Sequence, residues 1–362
     1  MVRLGEILES RVKDVGRALK TFEEVLERDP AHRGALEAVA RLCEERGNWE
    51  GAAGALAKLL DTTDGDAGVE LALRLAAARE KLDDRAGVEQ ALKRALEIDP
   101  RRGEVRDRLI SLYEKGESWT ELAAVLVDAA DIIHADHPEL AAQASGGAAA
   151  PPGASMAPPP PEPVAEQVAL LRRAAEIHIK KRRASGDAVP LLERAAELVP
   201  HDRELLLALC DAYTGSGKER SAADVLEKII ASFGGRRSKE LSLYHHRLGR
   251  ALSQLGDKDV ALSQFDMAFK IDPGSVEVLK DLGVLALETN DLERAQKTFR
   301  ALLLQKLDGE AVISKGEVFY YLGEISMKQG DKAKAVQMLE RAVENEPSLD
   351  RAKTMLEDLK GA

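Results

Sequence analysis

From His246 to Pro273 the chain reads HRLGRALSQLGDKDVALSQFDMAFKIDP, and nearly every segment outside one linker repeats that spacing. Leu248-Gly249 opens the pattern and Gly256-Asp257 marks a turn. Ala261, Phe265 and Ala268 follow at i, i+4 and i+7, and Pro273 ends the unit. The three side chains share one face of a 3.6-residue helix, so that face is predicted to be buried. Two helices of this length cannot bury it alone. Stacking against further copies can, and the chain supplies them.

Leu282-Gly283, Asn290-Asp291, Ala295, Phe299 and Leu302 lie 34 residues after their counterparts. Leu322-Gly323, Gly330-Asp331, Ala335, Leu339, Ala342 and Pro347 lie a further 40 on, which predicts an inserted turn near Lys306 to Glu310. Each position has a physical reason. Gly or Ala lets two helices approach closely, the apolar stripe fills the groove between them, and Pro stops the second helix.

These residues resemble the tetratricopeptide repeat family, whose 34-residue unit carries a Leu-Gly pair, a later Ala, Phe, Ala stripe and a terminal Pro. The resemblance implies an all-α fold: an α-solenoid of helix-turn-helix repeats wound into a right-handed superhelix. About nine helix pairs and a C-terminal capping helix are expected. It also implies that the first helix of each pair lines a concave, partner-binding face.

Taken from the N-terminus, the first unit is short, with a first helix over Val2 to Ser10 and then Ala18, Phe22, Val25 and Pro30. Fuller units follow around Val39-Ala40, Leu75-Ala76 and Leu109-Ile110. Trp49 and Trp119 occupy one slot two units apart, predicted to pack over the turn. Residues 141–164, AAQASGGAAAPPGASMAPPPPEPV, hold seven of the 14 prolines and cannot form a packed helix. Three domains are therefore expected: a solenoid over 1–140, a flexible linker over 141–164, and a second solenoid over 165–362 with its cap at 349–360. Pro158 to Pro161 is a weak alternative as a docking peptide for an aromatic groove.

The chain has 362 residues and a formal net charge of −11, which disfavours nucleic acid and anionic membrane as partners. Aromatic residues make up 4%, too few for a base-stacking surface. Cys43 and Cys210 fall in core slots of different repeats, where free thiols act as small apolar groups. The opening MVRLGEILESR lacks the apolar run of a secretory signal, and no segment approaches 18 apolar residues, so a soluble, cytoplasmic protein is expected.

Catalytic patterns are thin. Gly215-Ser216-Gly217-Lys218 resembles the end of a phosphate loop, but Ala212 stands where the first glycine belongs and a helix precedes it. His134 and His137 have no third ligand nearby, and residues 61–66, DTTDGD, miss the calcium-loop pattern. No enzyme activity, cofactor or metal is expected. Binding is expected on first-helix faces, where His246, Arg247, Arg250 and Lys280 gather positive charge in an acidic protein and Tyr320 and Tyr321 offer an apolar anchor. This set suits an acidic peptide among other protein partners. The expected role is a protein-interaction scaffold or adaptor. The alternative is a regulatory or self-associating segment of a larger enzyme or signalling assembly, joined through the short first repeat.

Overall fold

The computed structural model describes residues 1–138, 160–235, 238–307 and 312–361. Most of the 141–164 linker, with Pro158 and Pro159, and residues 308–311 of the inserted turn lie outside them. Among the described residues there are nineteen α-helices and no strands. In chain order they are α1 (Val2–Ser10), α2 (Val15–Arg28), α3 (Arg33–Glu45), α4 (Trp49–Leu60), α5 (Gly65–Glu80), α6 (Arg85–Ile98), α7 (Gly103–Lys115), α8 (Trp119–Asp136), α9 (Glu162–Glu176) and α10 (Ser185–Leu198). There follow α11 (Arg203–Gly215), α12 (Glu219–Ser232), α13 (Glu240–Gln254), α14 (Lys258–Ile271), α15 (Val276–Glu288), α16 (Leu292–Leu302), α17 (Lys315–Lys328), α18 (Lys332–Asn345) and α19 (Asp350–Gly361).

Two punctuation devices recur. Between the first and second helix of a hairpin one residue takes a left-handed φ, such as Gly47 (70°), Gly256 (86°) or Asn290 (61°). The next residue caps the second helix: the Asn48 side chain accepts from the Gly51 N–H, Asp84 from Gly87 and Asp331 from Lys334. These caps satisfy amides that the first helical turn leaves without partners. Between hairpins, a residue that precedes proline ends the helix in an extended conformation. Asp29, Asp99, Asp272 and Glu346 all do so, with φ of −137°, −136°, −131° and −142°. Clash with the proline ring excludes the helical region there.

The core is made where first and second helices touch. A Cβ on Gly249 would sit 2.6 Å from the Phe265 ring, and one on Gly5 2.7 Å from Phe22. Ala18, Ala52, Ala95, Ala261, Ala268 and Ala335 are fully buried in corresponding slots. Cys43 and Cys210 are buried free thiols, and burial pushes the Cys210 thiol up to about 11. At the C-terminus α19 packs on α18, with Ala352 buried and Leu356 and Leu359 partly covered beside Leu339 and Ala342.

Two hairpins depart from the common spacing. Twelve residues separate Gly249 from Ala261, but thirteen separate Gly5 from Ala18 and Ala175 from Ala188. The extra residue is absorbed by a wider turn. Ile177–Lys181 is a π-helix whose Ile177 carbonyl accepts from the Arg182 N–H at 3.1 Å, and the Ile7 carbonyl accepts from the Val12 N–H at 3.1 Å. One residue inserted into a helix is accommodated in this way.

The chain forms two compact units, whose described residues are 1–138 with 160–183, and 184–361. The helix that follows the linker, α9, packs on α8 and belongs to the first unit. The units therefore divide at Arg183, whereas composition alone divides the chain at 141–164. A proline-rich run breaks helix locally and leaves open which helices pack across it.

Candidate binding surfaces

In the first unit the first helices of three successive hairpins build a groove of about 680 Å³. Its lining includes Glu6 and Glu9 of α1, Arg33, Glu37 and Arg41 of α3, and Glu70 and Arg74 of α5, over Phe22 and Leu71. Arg41 bonds Glu9 at 2.5 Å, and Arg74 grips Glu44 through two nitrogens, at 2.6 and 3.2 Å. Glu6 and Glu70 make no ion pair among the described residues.

In the second unit the sequence-predicted cluster is divided. His246 is buried, its Nε2 lies 2.8 Å from an Asp281 carboxylate oxygen, and its ring lies against Phe265. The Arg250 guanidinium approaches the same carboxylate at 3.9 Å while its side chain stays 62% exposed. Arg247 turns the other way and donates to Asp211 at 2.8 Å. Lys280, next to Asp281, is half-buried and makes no ion pair among the described residues. Carboxylates from neighbouring repeats thus already engage three of the four basic groups.

Tyr320 and Tyr321 form a separate cluster. Tyr321 stacks on Phe299 with ring centroids 4.8 Å apart, Tyr320 meets it edge-on, and the Arg351 guanidinium covers Tyr320 at 4.6 Å. Arg351 is held in turn by Glu317 at 2.7 Å. Both tyrosines are half-buried, and burial, with Glu324 nearby, pushes the Tyr320 phenol up.

A second hollow in this unit, of about 210 Å³, lies over α17 between α16 and α18. Arg300, Lys334 and Arg341 line it together with Leu303, Phe319 and Met338, and among the described residues no carboxylate does. The sequence reading passed over these cations because it weighed first helices only. Counting slots along second helices would have found them.

The tetratricopeptide repeat family matches residues 9–67, 246–311 and 281–350, windows that contain the Gly249–Phe265 contact and the Asn48 and Asp331 caps. The matched segments are tetratricopeptide repeats. Human Protein O-mannosyl-transferase TMTC1 is 26% identical over 183 residues, covering 48% of this chain and 20% of that protein. The chain thus spans about a fifth of the length of this curated relative. Among solved structures, YrrB, described as a TPR protein with an unusual peptide-binding site, is 19% identical with a TM-score of 0.42, covering 51% of this chain and 90% of its own. MamA from Desulfovibrio magneticus is 17% identical with a TM-score of 0.42, covering 51% and 97%. Pseudomonas aeruginosa pilF is 10% identical with a TM-score of 0.39, covering 81% and 98%. At these values no ligand is carried over to this chain. Among its described residues no helix is long and apolar enough to cross a membrane, and no three His, Cys, Asp or Glu side chains are grouped to hold a metal ion.

Proposed function

We propose that this protein is a non-catalytic, cytoplasmic scaffold that binds peptide segments of partner proteins along the first-helix faces of its repeats. The observation that carries the reading is the groove over α1, α3 and α5. It is large enough for several side chains, floored by Phe22 and Leu71, and lined by charges of both signs. In the second unit the free Lys280 and the loosely held Arg250 are the groups best placed to meet an acidic segment, with Tyr320 and Tyr321 as the apolar contact. His246 and Arg247 hold that face in shape through Asp281 and Asp211. Buried free thiols accord with a reducing compartment.

The test is selection from a displayed peptide library on the full chain. Glu6→Lys with Glu70→Lys should abolish capture by the first unit, and Arg250→Glu with Lys280→Glu capture by the second. Selected peptides that bind both variants unchanged would refute this reading. A second reading, a regulatory or self-associating part of a larger assembly, is favoured by the fractional match to TMTC1. A native mass above that of one chain would support it.

A further inference from the structure

The hollow between α16 and α18 differs from its counterpart one repeat earlier by its charges. In the repeat frame Arg300 takes the slot of Asp266, 34 residues before it, and Lys334 takes that of Arg294, 40 residues before it. In the earlier groove those two slots are filled by opposite charges, and Arg294 bonds Asp266 at 3.3 Å. Here both slots are cationic, and Arg341 adds a third positive group where the earlier repeat has Ala301. Among the described residues none of the three makes an ion pair. Arg341 lies 5.8 Å over the Phe319 ring. Lys334, Phe319 and Met338 are half-buried, while Arg300 and Arg341 are exposed.

Three cations around one hollow repel one another, and an anion seated among them relieves that repulsion. The floor makes no polar demand of its own, because the buried Ser326 hydroxyl donates to the Leu322 carbonyl at 2.9 Å. A hollow of about 210 Å³ is below the roughly 300–1,000 Å³ of a small-molecule site, and suits one carboxylate side chain with an apolar neighbour. Leu303, Phe319 and Met338 supply the apolar wall. A nucleic acid strand fits less well, since the chain carries a net charge of −11 and the basic area is confined to one hollow.

We propose that the α16–α18 hollow is a second peptide-docking site, which takes an acidic side chain and the apolar residue beside it from a partner protein. This rests on the scaffold reading and adds the chemistry of one ligand. Arg300, Lys334 and Arg341 hold the carboxylate. Phe319 and Met338 hold the neighbouring side chain.

The test is fluorescence anisotropy of a labelled EELEE peptide with the full chain at low salt, with EEGEE, KKLKK and a single-stranded oligothymidine as comparison probes. EELEE should bind, weaken as salt rises, and bind more tightly than the other three. The triple substitution Arg300→Gln, Lys334→Gln, Arg341→Gln should weaken EELEE by about tenfold or more. Helicity by circular dichroism should stay unchanged, because all three side chains reach solvent. Absence of EELEE binding, equal affinity in the triple variant, or tighter binding of oligothymidine would overturn the site. If Arg250→Gln with Lys280→Gln removes EELEE binding and the triple variant does not, the docking site is wrong and the scaffold reading stands.

Discussion

At the scale of single residues, glycine has two opposite roles here. Gly249 lies under Phe265 with no room for a methyl group, whereas Gly54 on α4 is exposed and a Cβ there meets nothing within 4 Å. Gly249→Ala should destabilise by about 1–3 kcal/mol through overpacking. Gly54→Ala should stabilise by roughly 0.5–1 kcal/mol, because an exposed mid-helix glycine only adds freedom to the unfolded chain. Urea denaturation of both variants checks the pair, and a stabilising Gly249→Ala would show that the helices can part at no cost. A titrating residue gives a second prediction. Burial, and then the hydrogen bond its hydroxyl donates to Glu89 at 3.0 Å, push the Tyr113 phenol up to about 12. The unfolded phenol ionises near about 10. Between these values the folded state holds the proton that the unfolded state has lost, so stability falls as pH rises through the window. Melting temperature should drop between pH about 10 and about 12. Tyr113→Phe should make that drop shallower; an equally steep fall in the variant would place the titration elsewhere.

At the scale of helices, much was legible in the sequence because both punctuation signals are chemical. Asp, Asn or Gly at the inner turns and proline between hairpins mark boundaries within a residue or two, and α1 begins and ends where the pattern expected it, Val2–Ser10. The Ala, Phe, Ala stripe pointed to the buried face for the same reason. What stayed hidden was the π-turn at Ile177–Lys181, since an apolar stripe read by eye tolerates one extra residue; only the count from Ala175 to Ala188 betrays it. The candidate face was legible in residue type and not in its contacts. Residue type marked Arg247, Arg250 and Lys280 as cations, but Asp211 and Asp281, the partners of the two arginines, sit about one repeat away from them and become visible only once the repeats stack. The caps make a direct prediction for an element. The Asp291 side chain accepts from the Arg294 N–H at 3.1 Å and opens α16. Asp291→Ala should cost about 1 kcal/mol. Asp291→Asn should restore most of it, and a thermal melt of the two variants separates loss of the cap from loss of charge.

At the scale of the whole molecule, composition marks residues 141–164 as a helix-breaking segment and places the division between domains there. The packing of α9 on α8 puts the end of the first body at Arg183 instead. On α9 and the π-turn that follows it, Val164, Val168, Leu171 and Ile177 are buried, and each such side chain is worth roughly 1.5–3 kcal/mol when removed from water. A fragment of residues 1–183 keeps that helix, and a fragment of residues 1–140 leaves the matching surface of α8 open. The longer fragment should therefore unfold cooperatively at the higher temperature, while the shorter one melts earlier and binds a hydrophobic dye. Restoring residues 160–183 as a separate peptide should raise the melting temperature of the shorter fragment, because the contact is made by packing and does not require the linker to be continuous. Equal melting of the two fragments, with no effect of the peptide, would mean that α9 contributes nothing to the first unit and that the division belongs at the proline-rich segment after all.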